Sequence, residues 1–167
     1  MNKFVLLASG ATASLALLAG AASAQTDGSQ LRPTLVGAWQ VEVTLRVNGP
    51  DCTIAPIIGI GPNPFPSLNT FHAGGTMSEW GTRAPPATRT SGHGVWQRTG
   101  SGAFRYHDMF YSFDANGLLT ATMDIRSNLK LAMSGKTFKG TSRLVMTDIS
   151  GNPLNFCATL SGERITL

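Results

Sequence analysis

The feature that most constrains this chain is an alternation of apolar and polar residues with period 2, recurring in segment after segment, with turn residues between. Trp39, Val41, Val43, Leu45 and Val47 share one face of a strand whose other face carries Ala38, Gln40, Glu42, Thr44 and Arg46. Leu119, Ala121, Met123 and Ile125 oppose Thr120, Thr122, Asp124 and Arg126 in the same way, and the pattern runs on to about Met133. Such alternation describes strands with one buried and one wet face. Beyond the first 24 residues no helical spacing of apolar residues is sustained, so the chain reads as all-β.

The turns set the strand count. Gly74-Gly75, Gly100-Ser101-Gly102, Asp114-Ala115-Asn116-Gly117, Ser134-Gly135-Lys136 and Ser150-Gly151-Asn152-Pro153 place turn-forming residues where tight hairpins need them. Counting outward gives strands near 37–47, 66–73, 76–82, 92–99, 103–113, 118–133, 137–149 and 154–166. Short connections favour an antiparallel meander, and eight strands suffice to close around a side-chain core or one small ligand. We therefore expect an eight-stranded antiparallel up-and-down β-barrel over 37–167. A jelly roll or sandwich would need longer crossing connections. With hydrophobic residues at 42% and charged residues at 13%, disorder and coiled coil are both excluded.

Asn2 and Lys3, an apolar or small stretch from Phe4 to about Gly20, and Ala22-Ser23-Ala24 together read as a cleaved signal peptide over 1–24, with 25–36 as an N-terminal tail. Ser9, Gly10, Thr12 and Ser14 interrupt the stretch, which argues against a stable membrane anchor. We expect export, to the periplasm or outside the cell. The net charge is +4, and beyond Lys3 the basic residues are scattered from Arg32 to Arg164, without the clustered stripe that nucleic acid requires. In an oxidising compartment the two cysteines, Cys52 and Cys157, are expected to pair; two buried thiols are the alternative. Closing that span would constrain the unfolded chain by about 4–5 kcal/mol at most.

Gly37-Ala38-Trp39 at the start of the first strand resembles the G-x-W motif of the lipocalin and calycin superfamily, and Arg164 in the last strand stands where those proteins carry an Arg over that Trp. The resemblance implies a lipocalin-like barrel whose two ends are locked by a cation on the indole face, an interaction of about 0.5–2 kcal/mol. The usual aspartate-centred motif and the helix before the final strand are missing. In size the chain is also similar to the allene oxide cyclase and dirigent-like barrels, a group that includes cyclases.

The longest connection, Asn48 to about Phe65, is stiffened by Pro50, Pro56, Pro62 and Pro64 and made apolar by Ile54, Ile57, Ile58, Ile60 and Phe65. A long apolar loop must cover something apolar: either it is a lid over a hydrophobic cavity, or it plugs a packed barrel. Under the lid reading, Ile57, Ile58, Ile60 and Phe65, with Trp96, Phe104 and Phe110 from the strands, are the candidate ligand-binding residues.

A two-residue turn at Gly74-Gly75 would set His72 opposite Met77 and make His72 and Glu79 diagonal neighbours, able to act as a general base if they face inward. The competing arrangement puts both outside, with Phe71 and Trp80 turned in. Tyr106 and Asp108 share a face with Phe104 and Phe110 and form a second candidate catalytic pair, or a satisfied core hydrogen bond. His72, His93 and His107 lack metal-ligand spacing, so no metal and no other cofactor is expected. The chain has no G-x-S-x-G elbow, no phosphate-binding glycine loop and no H-E-x-x-H, which disfavours covalent hydrolysis. Two functions remain: binding of a small hydrophobic molecule in the barrel, or a cofactor-free cyclase or isomerase using acid–base residues within it.

Overall fold

The computed structural model describes residues 33–167. The leader over 1–24 and the tail as far as residue 32 lie outside the described residues. Eight strands follow in chain order: β1 (Gly37–Val47), β2 (Phe65–Phe71), β3 (Thr76–Gly81), β4 (Gly92–Gly100), β5 (Ala103–Phe113), β6 (Leu119–Leu131), β7 (Thr137–Asp148) and β8 (Pro153–Arg164). Each pairs antiparallel with the next. β1 also pairs with β8, from Trp39 opposite Arg164 to Val47 opposite Phe156, which closes the barrel and leaves no free edge. The only helical element among the described residues is a 3-10 turn at Pro86–Thr88.

Alternation does what the sequence implies. Along β2, Phe65, Ser67, Asn69 and Phe71 are buried while Pro66 and Leu68 are exposed. The inward positions nearest the chain termini fill one half of the barrel completely. Trp39 packs on Phe138 with ring centroids 4.9 Å apart, and Trp96 lies between Phe71 (6.0 Å) and Phe104 (5.9 Å). Trp39, Phe71, Phe104 and Phe138 are each at most 1% exposed.

This half is sealed by the segment before β1. The Trp39 indole N–H donates to the Leu35 carbonyl at 2.9 Å. The Arg164 guanidinium stacks 4.3 Å over the Trp39 ring and donates to the carbonyls of Val36, Thr34 and Gly135. Gly37 is required here for two reasons. Its φ is +133°, and a Cβ added to it would sit 2.6 Å from Arg164 Nη1. The arrangement implied by Gly37, Trp39 and Arg164 is therefore present as geometry.

At the opposite end, Cys52 and Cys157 form a disulfide with Cα atoms 5.8 Å apart. Cys157 points out of β8 and is fully buried beneath the long loop. That loop is strapped to the barrel. Val47 N–H donates to the Pro56 carbonyl and Ile58 N–H to the Leu45 carbonyl. The Asn63 side chain bonds both polar groups of Leu45, and Arg143 holds the Asn48 side chain and the carbonyls of Gly49 and Pro50.

The β2–β3 hairpin departs from expectation by one residue. Phe71, not His72, lies opposite Met77, and Asn69 lies opposite Glu79. Gly74 and Gly75 both have positive φ but belong to a longer turn, in which His72 N–H donates to the Thr76 carbonyl. In a structure of period 2, a one-residue slip sends a side chain to the other face. His72 is consequently exposed outside the barrel, whereas Glu79 points into it.

Candidate functional site

Inside the half of the barrel nearest the long loop lies a cavity of about 530 Å³. That volume falls within the roughly 300–1,000 Å³ usual for small-molecule sites. Its walls are apolar side chains at alternate positions: Val41, Val43 and Leu45 on β1, Met123 and Ile125 on β6, Leu144 and Met146 on β7, Phe156 and Ala158 on β8. Ile58 and Ile60 of the long loop, with Arg83 and Ala84 of the β3–β4 connection, line it at the loop end. Arg83 ties the two connections together by donating to the Pro62 and Ile60 carbonyls.

A polar belt separates the cavity from the packed half. Glu79 from β3 and Arg89 from the β3–β4 connection form a buried ion pair, with Nη2 to Oε2 at 2.5 Å. Ser67 Oγ donates to Glu79 Oε1 at 2.9 Å. Arg89 also donates to the Thr90 carbonyl and stacks 3.6 Å over the Phe110 ring. The hydroxyls of Ser127 and Ser142 lie 2.6 Å apart, and Tyr106 approaches them. Burial, with the Asp108 charge second, pushes the Tyr106 hydroxyl up from its ordinary range.

Asp108 is the exception in this belt. It is 1% exposed, lines the cavity, and neither carboxyl oxygen has a hydrogen-bond partner. Burial, reinforced by Glu79 and opposed by Arg89, raises its pKa from 3.8 to about 8. At neutral pH Asp108 is a carboxylic acid with a proton to donate. Gly92 makes room for it: a Cβ there would lie 2.8 Å from Glu79 Oε2 and 2.9 Å from Asp108 Oδ2.

The structure brings together some of the sequence candidates and separates others. Ile58, Ile60, Phe65, Glu79, Tyr106, Asp108 and Phe110 all line the cavity. Ile57 turns outward at 54% exposure, and Trp96 and Phe104 belong to the packed half instead. His72 lies 3.4 Å from Ser78 on the outer surface, so the His72–Glu79 pair does not form. Trp80 is on the outer face too, paired with Leu68, so the competing arrangement holds for His72 outside and Phe71 inside but not for Glu79 and Trp80. His93 is exposed, and His107 bonds Asp124 outside the wall at 2.7 Å. No group of three or more His, Cys, Asp or Glu is placed to hold a metal among the described residues.

Arg89 went unmarked in the sequence because it enters the barrel from a connection with no periodicity. The glycines around His93 do carry a signal of close approach. Gly92 makes room for the inward carboxyls of Glu79 and Asp108, and Gly94 for the β5 chain at His107 and Asp108, rather than for His93 itself.

Fold and site define a class: a closed eight-stranded antiparallel β-barrel with an apolar internal cavity and a buried carboxyl group on its lining. No family model matches the chain, and no curated protein matches its sequence.

Proposed function

We propose that this protein is an exported, lipocalin-like barrel that binds a small, predominantly apolar molecule in its cavity. The observation that carries the proposal is the cavity of about 530 Å³, walled by aliphatic and aromatic side chains inside an otherwise packed barrel. A packed barrel stabilises itself by filling its interior, since empty apolar volume lowers stability by about 24 cal/mol per Å³. The disulfide supports export to an oxidising compartment, and no helix among the described residues is long and apolar enough to cross a membrane. Titration of the purified protein with an environment-sensitive apolar dye, with mass spectrometry of its organic extract, tests the reading. Saturable dye binding that Leu144→Trp abolishes by filling the cavity is expected. A dye-silent protein whose extract is empty overturns it.

The second reading is a cofactor-free cyclase or isomerase. Its support is Asp108, an acid placed on an apolar cavity with Glu79 beside it. His72 takes no part. Turnover that survives Asp108→Asn would remove this reading.

A further inference from the structure

We propose that the end of the ligand reaching the polar belt carries an uncharged, hydrogen-bond-accepting oxygen, such as a ketone or ester carbonyl, and that the Asp108 carboxyl binds it. The proposal rests on the cavity being a ligand site and specifies what kind of molecule fits there.

Buried polar groups are almost always paired, so a fully buried carboxyl with two unpartnered oxygens calls for a partner. Its neighbours are already engaged. Glu79 is taken by Arg89 and Ser67, the Arg89 guanidinium by Glu79, a backbone carbonyl and the Phe110 ring, and Ser142 by Ser127. Asp108 has both oxygens unpartnered, and Asn69, whose Oδ1 accepts from Ser67, also lines the cavity. The Asp108 and Glu79 carboxyls both pack against Gly92, where a Cβ would collide with each of them.

Charge then selects the ligand class. A ligand carboxylate would approach two carboxyl groups, and the nearby cation, Arg89, is already paired with Glu79. A ligand ammonium would need an ionised Asp108, and burying both charges is unfavourable among apolar walls. A carbonyl oxygen brings no charge and uses the proton that Asp108 holds. The charged and titratable groups acting on Asp108 are Glu79 from β3, Arg89 from the β3–β4 connection, Tyr106 from its own strand and Asp124 through the wall of β6. None of them supplies an unpaired positive charge.

Displacement of the bound dye by methyl undecyl ketone, dodecanoate, dodecylamine and dodecane tests the proposal with chains of matched length. At pH 6 the ketone should bind about ten-fold more tightly than the alkane, the effect of one well-placed hydrogen bond. That margin should vanish in Asp108→Leu, survive in Asp108→Asn, whose amide still donates, and shrink as the pH is raised to 9. Equal binding of ketone and alkane overturns the proposal, as does a preference for the amine or the carboxylate, and in all these cases the cavity remains a binding site. If none of the four displaces the dye and no dye binds, the cavity reading itself fails.

Discussion

Replacing Asp108 by Asn should flatten the pH dependence of folding stability between about pH 4 and pH 8. In the native barrel the carboxyl holds its proton up to about pH 8, whereas in the unfolded chain it releases it near its ordinary value of 3.8. Across that window the native state binds a proton that the unfolded state does not, so stability falls as the pH rises. The slope for one proton is about 1.4 kcal/mol per pH unit. From pH 4 to pH 7 the loss amounts to about 4 kcal/mol, a large part of the roughly 5–15 kcal/mol typical of a domain. Above pH 8 both states are ionised and the contribution levels off.

Asp51, Asp114 and Asp148 act in the opposite direction, because local hydrogen bonds hold their carboxyls below the ordinary range. They are common to both proteins and cancel in the difference. Urea unfolding of wild type and Asp108→Asn at pH 4, 5, 6, 7 and 8 measures that difference. It should change steadily in favour of the variant, by about 4 kcal/mol between pH 4 and 7. Parallel profiles, agreeing within about 0.5 kcal/mol after a constant offset, would show that Asp108 carries no buried proton and refute the reasoning.

Further outcomes are expected. Cys52→Ala should lower stability by about 2–5 kcal/mol in denaturant melts, and reductant should bring the wild type to the same value. Gly37→Ala should destabilise by about 1–3 kcal/mol, since it forces a side chain into a positive-φ position against Arg164; Arg164→Ala should red-shift Trp39 fluorescence as the indole face is uncovered. Arg89→Met should destabilise by about 3–5 kcal/mol by leaving Glu79 buried without its cation, and adding Glu79→Met should restore most of the loss in a double-mutant cycle.

The strand content was legible because it is local information. Trp39 to Val47 or Leu119 to Leu131 declares its buried face without reference to any other segment, and the turn residues between strands mark where the chain reverses. Strand number together with short connections then leaves few topologies besides a closed meander, and the two cysteines of the chain pair with each other. The inward placement of Tyr106, Asp108 and Phe110 followed from the same alternation.

Register and depth were decided elsewhere. Whether His72 or Phe71 faces Met77 depends on one residue of turn length, which the Gly74-Gly75 pair does not specify, and that single step separated His72 from Glu79. Ile58 and Ile60 reached the cavity while Ile57 did not, because the disulfide and the Asn63 bonds set how the loop lies. Arg89 met Glu79 through closure of the barrel, across a connection that carries no pattern. By itself the sequence determined which residues form strands and which faces they bury, because the pleat repeats every two residues. Only the tertiary structure decided that half the barrel is hollow and that an acid stands unpaired within it, because cavities and buried charges arise where distant segments fail or manage to fill the same space.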